Sequence, residues 1–322
     1  MRYARYALIV VAINSNTFRI EKDLIRRKEM GLNLIVLVKQ VPDTQNITGE
    51  AMKEDGTVNR AALPAIFNPE DLHALEAALQ VKESVPESKV HVITMGPPSA
   101  VQVLKESLYR GADSVALVTD RRFAAADTLA TSYALKCAIE KIGTYDIVFA
   151  GRQAIDGDTA QVGPQTAEKL GINQITCVSD IENVDANKKS ITAKRSIEGG
   201  YEIVRTALPV LLTLTDEGFK PRPPSAIRML AYKNASTEVT DAGYDESYID
   251  DESKFSAQNQ IFLWDIEALN ADVDSCGLAG SPTKVKKIES VVLKAGEIRM
   301  IENTDEAVSN MVHDLIADHT LG

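Results

Sequence analysis

This chain is poor in the features that most catalytic and nucleic-acid-binding proteins carry. Its three cysteines, Cys137, Cys177 and Cys276, are odd in number and far apart. They supply no disulfide framework, fit a reducing cytoplasm, and have neither iron–sulfur nor zinc spacing. The four histidines, His73, His91, His313 and His319, are scattered, and none lies near a nucleophile in sequence. Aromatic residues make up 5% of the chain and no Lys/Arg cluster interleaves with them; with a net charge of −11, nucleic-acid binding is disfavoured. No apolar run approaches the roughly 20 residues needed to cross a bilayer, so no membrane span is expected. Neither Gly-x-Gly-x-x-Gly nor Gly-x-x-x-x-Gly-Lys-Ser/Thr occurs, which removes both familiar phosphate loops. What remains is 322 residues, 44% hydrophobic, enough for one large domain or two ordinary ones.

The stretch around which the rest is organised runs Gly151-Arg-Gln-Ala-Ile-Asp-Gly-Asp-Thr-Ala-Gln-Val-Gly163. It leaves the apolar run Tyr145–Ala150, of strand character, and enters Pro164–Leu170, which reads as a helix. Ligands of open α/β sheets bind at such strand ends. Gly151 and Gly157 permit close backbone approach. N–H groups at a helix start suit a phosphate, with Arg152, Asp156, Asp158, Thr159 and Gln161 as polar contacts. The competing reading is a polar connection with Asp158 or Thr159 as helix N-cap.

Upstream, residues 1–29 look foreign to the rest of the chain. Tyr6–Ile13, behind Arg2 and Arg5, has the outline of a signal peptide without a small-x-small cleavage site. We read the segment as a translated ribosome-binding region, with Met30 as the true start. Asn33–Val38 is a near-continuous aliphatic run, the pattern of a strand buried on both faces. Asp55-Gly56 marks a turn. Asn68-Pro-Glu-Asp71 opens a helix, with Asn68 at the N-cap, Pro69 in the first position and two acids at the positive end of the dipole. Strands at Lys89–Thr94, Ser114–Val118 and Tyr145–Ala150 alternate with helices at Ser99–Tyr109 and Asp127–Ile142. The expected fold is α/β, a doubly wound, mostly parallel sheet. Ligand contacts gather at Val38-Lys39, Met95-Gly96 and Gly151 onward.

Beyond Gly171 the period shortens. Gln174–Ile181, Lys188–Ser196, Tyr201–Thr206 and Val210–Leu214 read as strands added antiparallel to one side of the sheet. Residues 238–252 carry seven acids and no base, a solvated linker or arm. Trp264–Leu269 reads as a short helix and Gly277–Pro282 as turn. Thr304–His319 reads as an amphipathic helix with Ala307, Val308, Met311, Val312, Leu315 and Ile316 inward. The division expected is 30–232 for a nucleotide-binding α/β domain with β-hairpins and 233–322 for an acidic linker and extended C-terminal arm.

Ala193-Lys-Arg-Ser-Ile-Glu-Gly-Gly-Tyr-Glu-Ile-Val204, followed by Pro209-Val-Leu-Leu-Thr213, closely resembles the diagnostic segment of the electron-transfer flavoprotein β subunit. Val38-Lys-Gln-Val41, Asn68-Pro69, Gly111-Ala-Asp113, Gly151-Arg-Gln-Ala-Ile-Asp156 and Pro221-Arg222 extend the resemblance from Asn33 to about Lys287. It implies an adenine-nucleotide hydrolase-like fold, pairing with an α subunit that carries flavin adenine dinucleotide (FAD), and an adenine nucleotide in the β subunit itself. The contacts it implies fall at Leu37; at Asn68, Pro69, Glu70 and Asp71; at Met95; and at Gly151, Arg152, Gln153, Ala154, Ile155, Asp156, Gly157, Asp158, Thr159, Ala160, Gln161 and Val162.

Many family members hold AMP there, while the electron-bifurcating branch holds a second FAD. Asp120-Arg-Arg-Phe-Ala-Ala-Ala-Asp-Thr-Leu-Ala-Thr-Ser132 resembles that branch, departing at Ala125, where the family usually has Gly. The resemblance then implies NADH as donor, ferredoxin as one acceptor and an acyl-CoA dehydrogenase or reductase as the other. Arg121, Arg122 and Arg152 are candidates to sit near the flavin ring. Asp127 is placed to cap the next helix, whose start would face the ring, and Thr128, Thr131 and Ser132 offer hydroxyls on its first turns. Pro224–Lys233, with Ile227, Met229 and Leu230 as anchors, corresponds to the segment that docks on the dehydrogenase; the alternative is a packed edge strand.

Overall fold

The computed structural model describes residues 31–43, 63–237, 261–283 and 300–317. The leader, the Asp55-Gly56 turn and the acidic run 238–252 lie outside the described residues. The frame is a nine-stranded sheet. In chain order the first elements are β1 (Asn33–Val38), β2 (Gln40–Pro42), β3 (Ala65–Phe67), α1 (Pro69–Ser84), β4 (Lys89–Met95), α2 (Val101–Arg110), β5 (Ser114–Val118), α3 (Thr128–Ile142), β6 (Ile147–Gly151) and α4 (Val162–Leu170). Then come β7 (Asn173–Asp185), β8 (Ser190–Ile197), β9 (Gly200–Ala207), β10 (Val210–Leu214), α5 (Ala226–Tyr232), β11 (Phe262–Trp264) and α6 (Asp305–Ala317). The sheet order is β11-β5-β4-β1-β6-β10-β7-β8-β9.

Every pairing from β11 to β7 is parallel. A parallel strand covered on both faces must be apolar on both, and alternate residues of β1 go to opposite sides. Leu34, Val36 and Val38 pack with Ala74, Leu75 and Leu79 of α1 and Leu104 and Leu108 of α2. Ile35 and Leu37 pack with Ala134, Ala138 and Ile139 of α3 and Ala167 of α4. Strand order runs outward from β1 to β4 and β5, then returns to place β6 on its other side. The switch point of the sheet therefore lies between β1 and β6, whose carboxyl ends carry Lys39 and Gly151.

Three expectations are corrected. Val210–Leu214 is not an antiparallel addition: all five residues are buried and the strand sits parallel between β6 and β7. An apolar run without alternation belongs inside a two-sided sheet, and in the nine-stranded sheet only the β7–β8 and β8–β9 pairings are antiparallel. Trp264 ends a strand rather than starting a helix, because Phe262–Trp264 extends the sheet beside β5; the Asp265 carboxylate then accepts from Ala268 N–H at 2.7 Å in a turn. The C-terminal helix forms, but its apolar face is not turned inward. Val308, Met311, Val312 and Ile316 are exposed, Ala307 and Leu315 are half-buried, and no residue of α6 is buried.

Phe149 in β6 is the largest fully buried side chain. Its replacement by Ala is expected to cost about 3–5 kcal/mol, read as a fall in urea midpoint without a change in slope.

Candidate functional site

Two local features bring the site together. The antiparallel pair β2–β3 returns the chain so that Asn68 N–H donates to Lys39 C=O at 3.0 Å. Pro69 then starts α1 at the carboxyl ends of β1 and β6. Asn68 was expected to cap this helix through its side chain, and it does not. Its amide is used elsewhere: Nδ2 donates to Gln153 C=O at 2.9 Å and Oδ1 accepts from Ile155 N–H at 3.1 Å.

The two acids behind it also face the backbone of the loop after β6. Glu70 Oε2 accepts from Gln153 N–H at 2.8 Å and Oε1 from Arg152 Nη2 at 2.7 Å. Asp71 Oδ1 accepts from Gly151 N–H at 3.1 Å and Oδ2 from Lys39 N–H at 2.8 Å. Asn68, Glu70 and Asp71 thus take the N–H groups of Gly151, Gln153 and Ile155, alternate residues of one loop. Gly151 is required here: a Cβ would stand 2.3 Å from Asp71 Oδ1. At Gly157 a Cβ would meet nothing within 4 Å, so close approach to protein is a property of Gly151 alone of the two.

The inward donors leave others outward. Among the described residues, the backbone N–H groups of Thr159, Ala160, Gln161, Val162 and Gly163 have no protein acceptor. Asp158 and Ala160 have φ of 48° and 52°, a left-handed conformation costing about 1–2 kcal/mol per residue. Neither Asp158 nor Thr159 caps α4; Gln161 stands at the cap position, with no side-chain cap bond. Successive N–H groups at a helix start form an anion-binding hollow. Lys39 Nζ bonds both oxygens of Asp156 at 2.7 and 2.8 Å across the rim.

The α3 start adjoins this loop, where Thr128 Oγ1 donates to Gln161 Oε1 at 3.0 Å. Asp127 caps α3 as expected, accepting from Leu129 and Ala130 N–H at 3.0 Å each. Its second oxygen accepts from Thr283 N–H at 3.1 Å, and its own N–H donates to Ser281 Oγ at 2.8 Å. Burial works against ionisation of Asp127, but the donors from Ala130, Thr283 and Leu129 outweigh it and hold the carboxyl below its ordinary value.

The chain was compared with known proteins. A family model described as electron transfer flavoprotein domain matches residues 55–242. The electron transfer flavoprotein subunit beta of Clostridium acetobutylicum is 41% identical over 290 residues, covering 89% of this chain and 99% of that protein. The chain belongs to the electron transfer flavoprotein family. Subunit CarD of the caffeyl-CoA reductase-Etf complex of Acetobacterium woodii is 39% identical over 292 residues, 90% of this chain and all of that protein. Protein FixA of Sinorhizobium fredii is 38% identical, covering 88% and 92%.

For a flavoprotein of this family, the placement of the anticipated residues is uneven. The loop 151–162 and the Asn68–Asp71 turn come together, but Glu70 and Asp71 hold backbone rather than standing open to a ligand. Leu37 is buried among Ile93, Val118 and Ala150, and Met95 is half-buried at the rim of that cluster. Arg122 is not free: its guanidinium bonds Asp120 and, at 2.6 Å, both oxygens of Glu267. Arg152 is held by Glu70, while Arg121 is exposed and makes no ion pair among the described residues. The Thr131 hydroxyl has no partner among them either. Sequence reasoning placed Lys39 among the strand-end contacts but missed its pairing with Asp156, and missed Thr283 as a partner of Asp127; nothing in the local sequence marks contacts 117 and 156 residues apart. An apolar cavity lies elsewhere, between His91, Ser114, Ile142 and Trp264, toward the amino ends of β4 and β5.

Burial drives the Asp71 carboxyl up to about 7, against donation from Asn68, Lys39 and Gly151, with the Glu70 charge adding to the rise. The folded state then holds the Asp71 proton more tightly than the unfolded chain. This contribution to stability is full below pH 3.8 and is lost as pH rises to about 7. Relative to Asp71→Asn, wild type is expected to lose roughly 1 kcal/mol of unfolding free energy per pH unit across that window, measured by urea titration. A pH-independent difference would contradict this assignment.

Proposed function

We propose that this chain is the β subunit of a heterodimeric electron-transfer flavoprotein that binds the adenosine and phosphates of FAD at the β1/β6 crevice. The observation that carries the reading is the run of five N–H groups at Thr159–Gly163 with no acceptor among the described residues, beside a loop fixed by Asn68, Glu70 and Asp71. Those donors fit a pyrophosphate, with Lys39 and Asp156 at the rim. When bound, FAD supplies the redox chemistry, accepting a hydride from NADH and releasing electrons singly. The protein contributes fixed donors and positioned strand ends. In this reading one electron goes to ferredoxin and the other through the α-subunit flavin to an acyl-CoA dehydrogenase or reductase. The similarity to the subunit named for a caffeyl-CoA reductase complex supports that assignment. The reading puts the protein in the cytoplasm, in keeping with three free thiols.

A second reading, a plain electron carrier with AMP in the same crevice, has its own support. The Arg122 guanidinium is engaged by Asp120 and Glu267, and two of the first α3 N–H groups are taken by Asp127. Groups that would favour a reduced flavin ring are therefore already occupied. The two readings part on stoichiometry. Acid release and chromatography of the purified αβ heterodimer should give two FAD per heterodimer. One FAD plus one AMP would leave the plain carrier.

We further assign partner docking to α5. Ile227, Met229 and Leu230 are 80%, 44% and 70% exposed, so they are not a packed edge strand. Exposed Lys220 and Lys233 flank them. Ile227→Ala is expected to raise KM for the dehydrogenase partner several-fold while flavin content holds; loss of flavin would contradict a docking role.

A further inference from the structure

Helix α5 has seven residues and no side-chain cap. A helix this short is marginal on its own, so its orientation depends on what grips it. The grip is built around Arg222. Its backbone N–H and Nε donate to Glu76 Oε2 at 3.1 and 2.8 Å, and Nη2 donates to Glu76 Oε1 at 3.1 Å. Nη1 donates to Glu83 Oε1 at 2.6 Å. Glu76 is buried in the middle of α1 and takes a further bond from Gln80 Nε2 at 2.9 Å. Burial opposes its charge, but Arg222 and Gln80 more than offset this and hold its carboxyl below the ordinary range.

Four further hydrogen bonds join this segment to α2. Arg110 Nη1 donates to Arg222 C=O, and Ser225 N–H donates to Tyr109 C=O at 3.0 Å. Arg228, inside α5, donates through Nε to Leu108 C=O at 2.6 Å and through Nη2 to Ala112 C=O, at the end of α2. With its polar side spent on α1 and α2, α5 turns Ile227, Met229 and Leu230 to solvent. A guanidinium fork on a buried carboxylate fixes angle as well as distance, which an ammonium cannot do.

We propose that Glu76 and Arg222 are positioning residues that set the orientation of α5 for its partner, an acyl-CoA dehydrogenase-type flavoprotein with an apolar pocket. This rests on the docking assignment above. The clamp acts through α5 and touches neither the loop 151–163 nor the α3 start. Helix α1 carries both devices, its first turn bracing the loop and its later turns, through Glu76 and Glu83, holding the docking segment.

The test uses the purified αβ heterodimer bearing Arg222→Lys or Glu76→Gln, with a purified short-chain acyl-CoA dehydrogenase as the titrated acceptor. Hydrogen exchange of the Ile227–Tyr232 amides should quicken about tenfold. KM for the dehydrogenase should rise about tenfold, with kcat at saturation and nucleotide content unchanged. Arg222→Lys keeps the charge and loses the fork, so it remains informative if Glu76→Gln does not fold. Unchanged exchange at α5, or unchanged KM, overturns the proposal. Ile227→Ala, measured alongside, separates the causes. If it raises KM while Arg222→Lys does not, the clamp fails and the docking assignment stands; if neither does, both fail.

Discussion

The structure turns on one carboxylate placed between two strand ends. Asp71 accepts the N–H of Lys39, leaving β1, and of Gly151, closing β6. These are the neighbouring strands at which the order of the sheet reverses, and Asp71 ties the two chains together just where they leave it. Burying a charge there is unfavourable, and the two backbone donors offset only part of that cost, which leaves the carboxyl raised. Gly151 follows from it, since any side chain at that position would occupy the space of the Asp71 carboxyl. The Glu70 and Asn68 contacts extend the brace along the loop to Gln153 and Ile155.

The acids at the start of α1 therefore do something other than what their position advertises. Near a helix N-terminus they read as dipole partners or ligand contacts, and both ideas place negative charge where the proposed phosphate would sit. Turning the carboxylates onto loop N–H groups removes part of that conflict. The acids spend their lone pairs on Gly151, Gln153 and Lys39, and the donors of the proposed phosphate cradle come from Thr159 onward. The brace and the cradle are separate sets of N–H groups in one loop. At α3 the arrangement is different: Asp127 keeps two of the helix's own donors and ties down Thr283, so that helix start is closed by protein.

The parallel core was legible because β1, β5 and β6 are continuous apolar runs and the intervening helices carry caps and stops, such as Asp127 and Gly111. Val210–Leu214 had the same signature, yet its place between β6 and β7 was missed because it follows two antiparallel strands in sequence. Periodicity gives an element's type and not its neighbour. The site was legible at the level of segments, through the glycine loop and Asn68–Asp71. Which side chains face inward was not, since Glu70 and Arg152 meet across 82 residues. The apolar face of α6 was read correctly as a pattern, but a pattern does not say whether the surface that covers it lies in the same chain.

The most direct measurement is a crystal structure of the αβ complex with its nucleotide in place. The account predicts phosphate oxygens within hydrogen-bond distance of the N–H groups of Thr159 to Gly163. The Asp71 and Glu70 carboxylates should remain on Lys39, Gly151 and Gln153. A nucleotide whose phosphates lie away from that helix start, or are bonded by Glu70 and Asp71 released from the loop backbone, would contradict it.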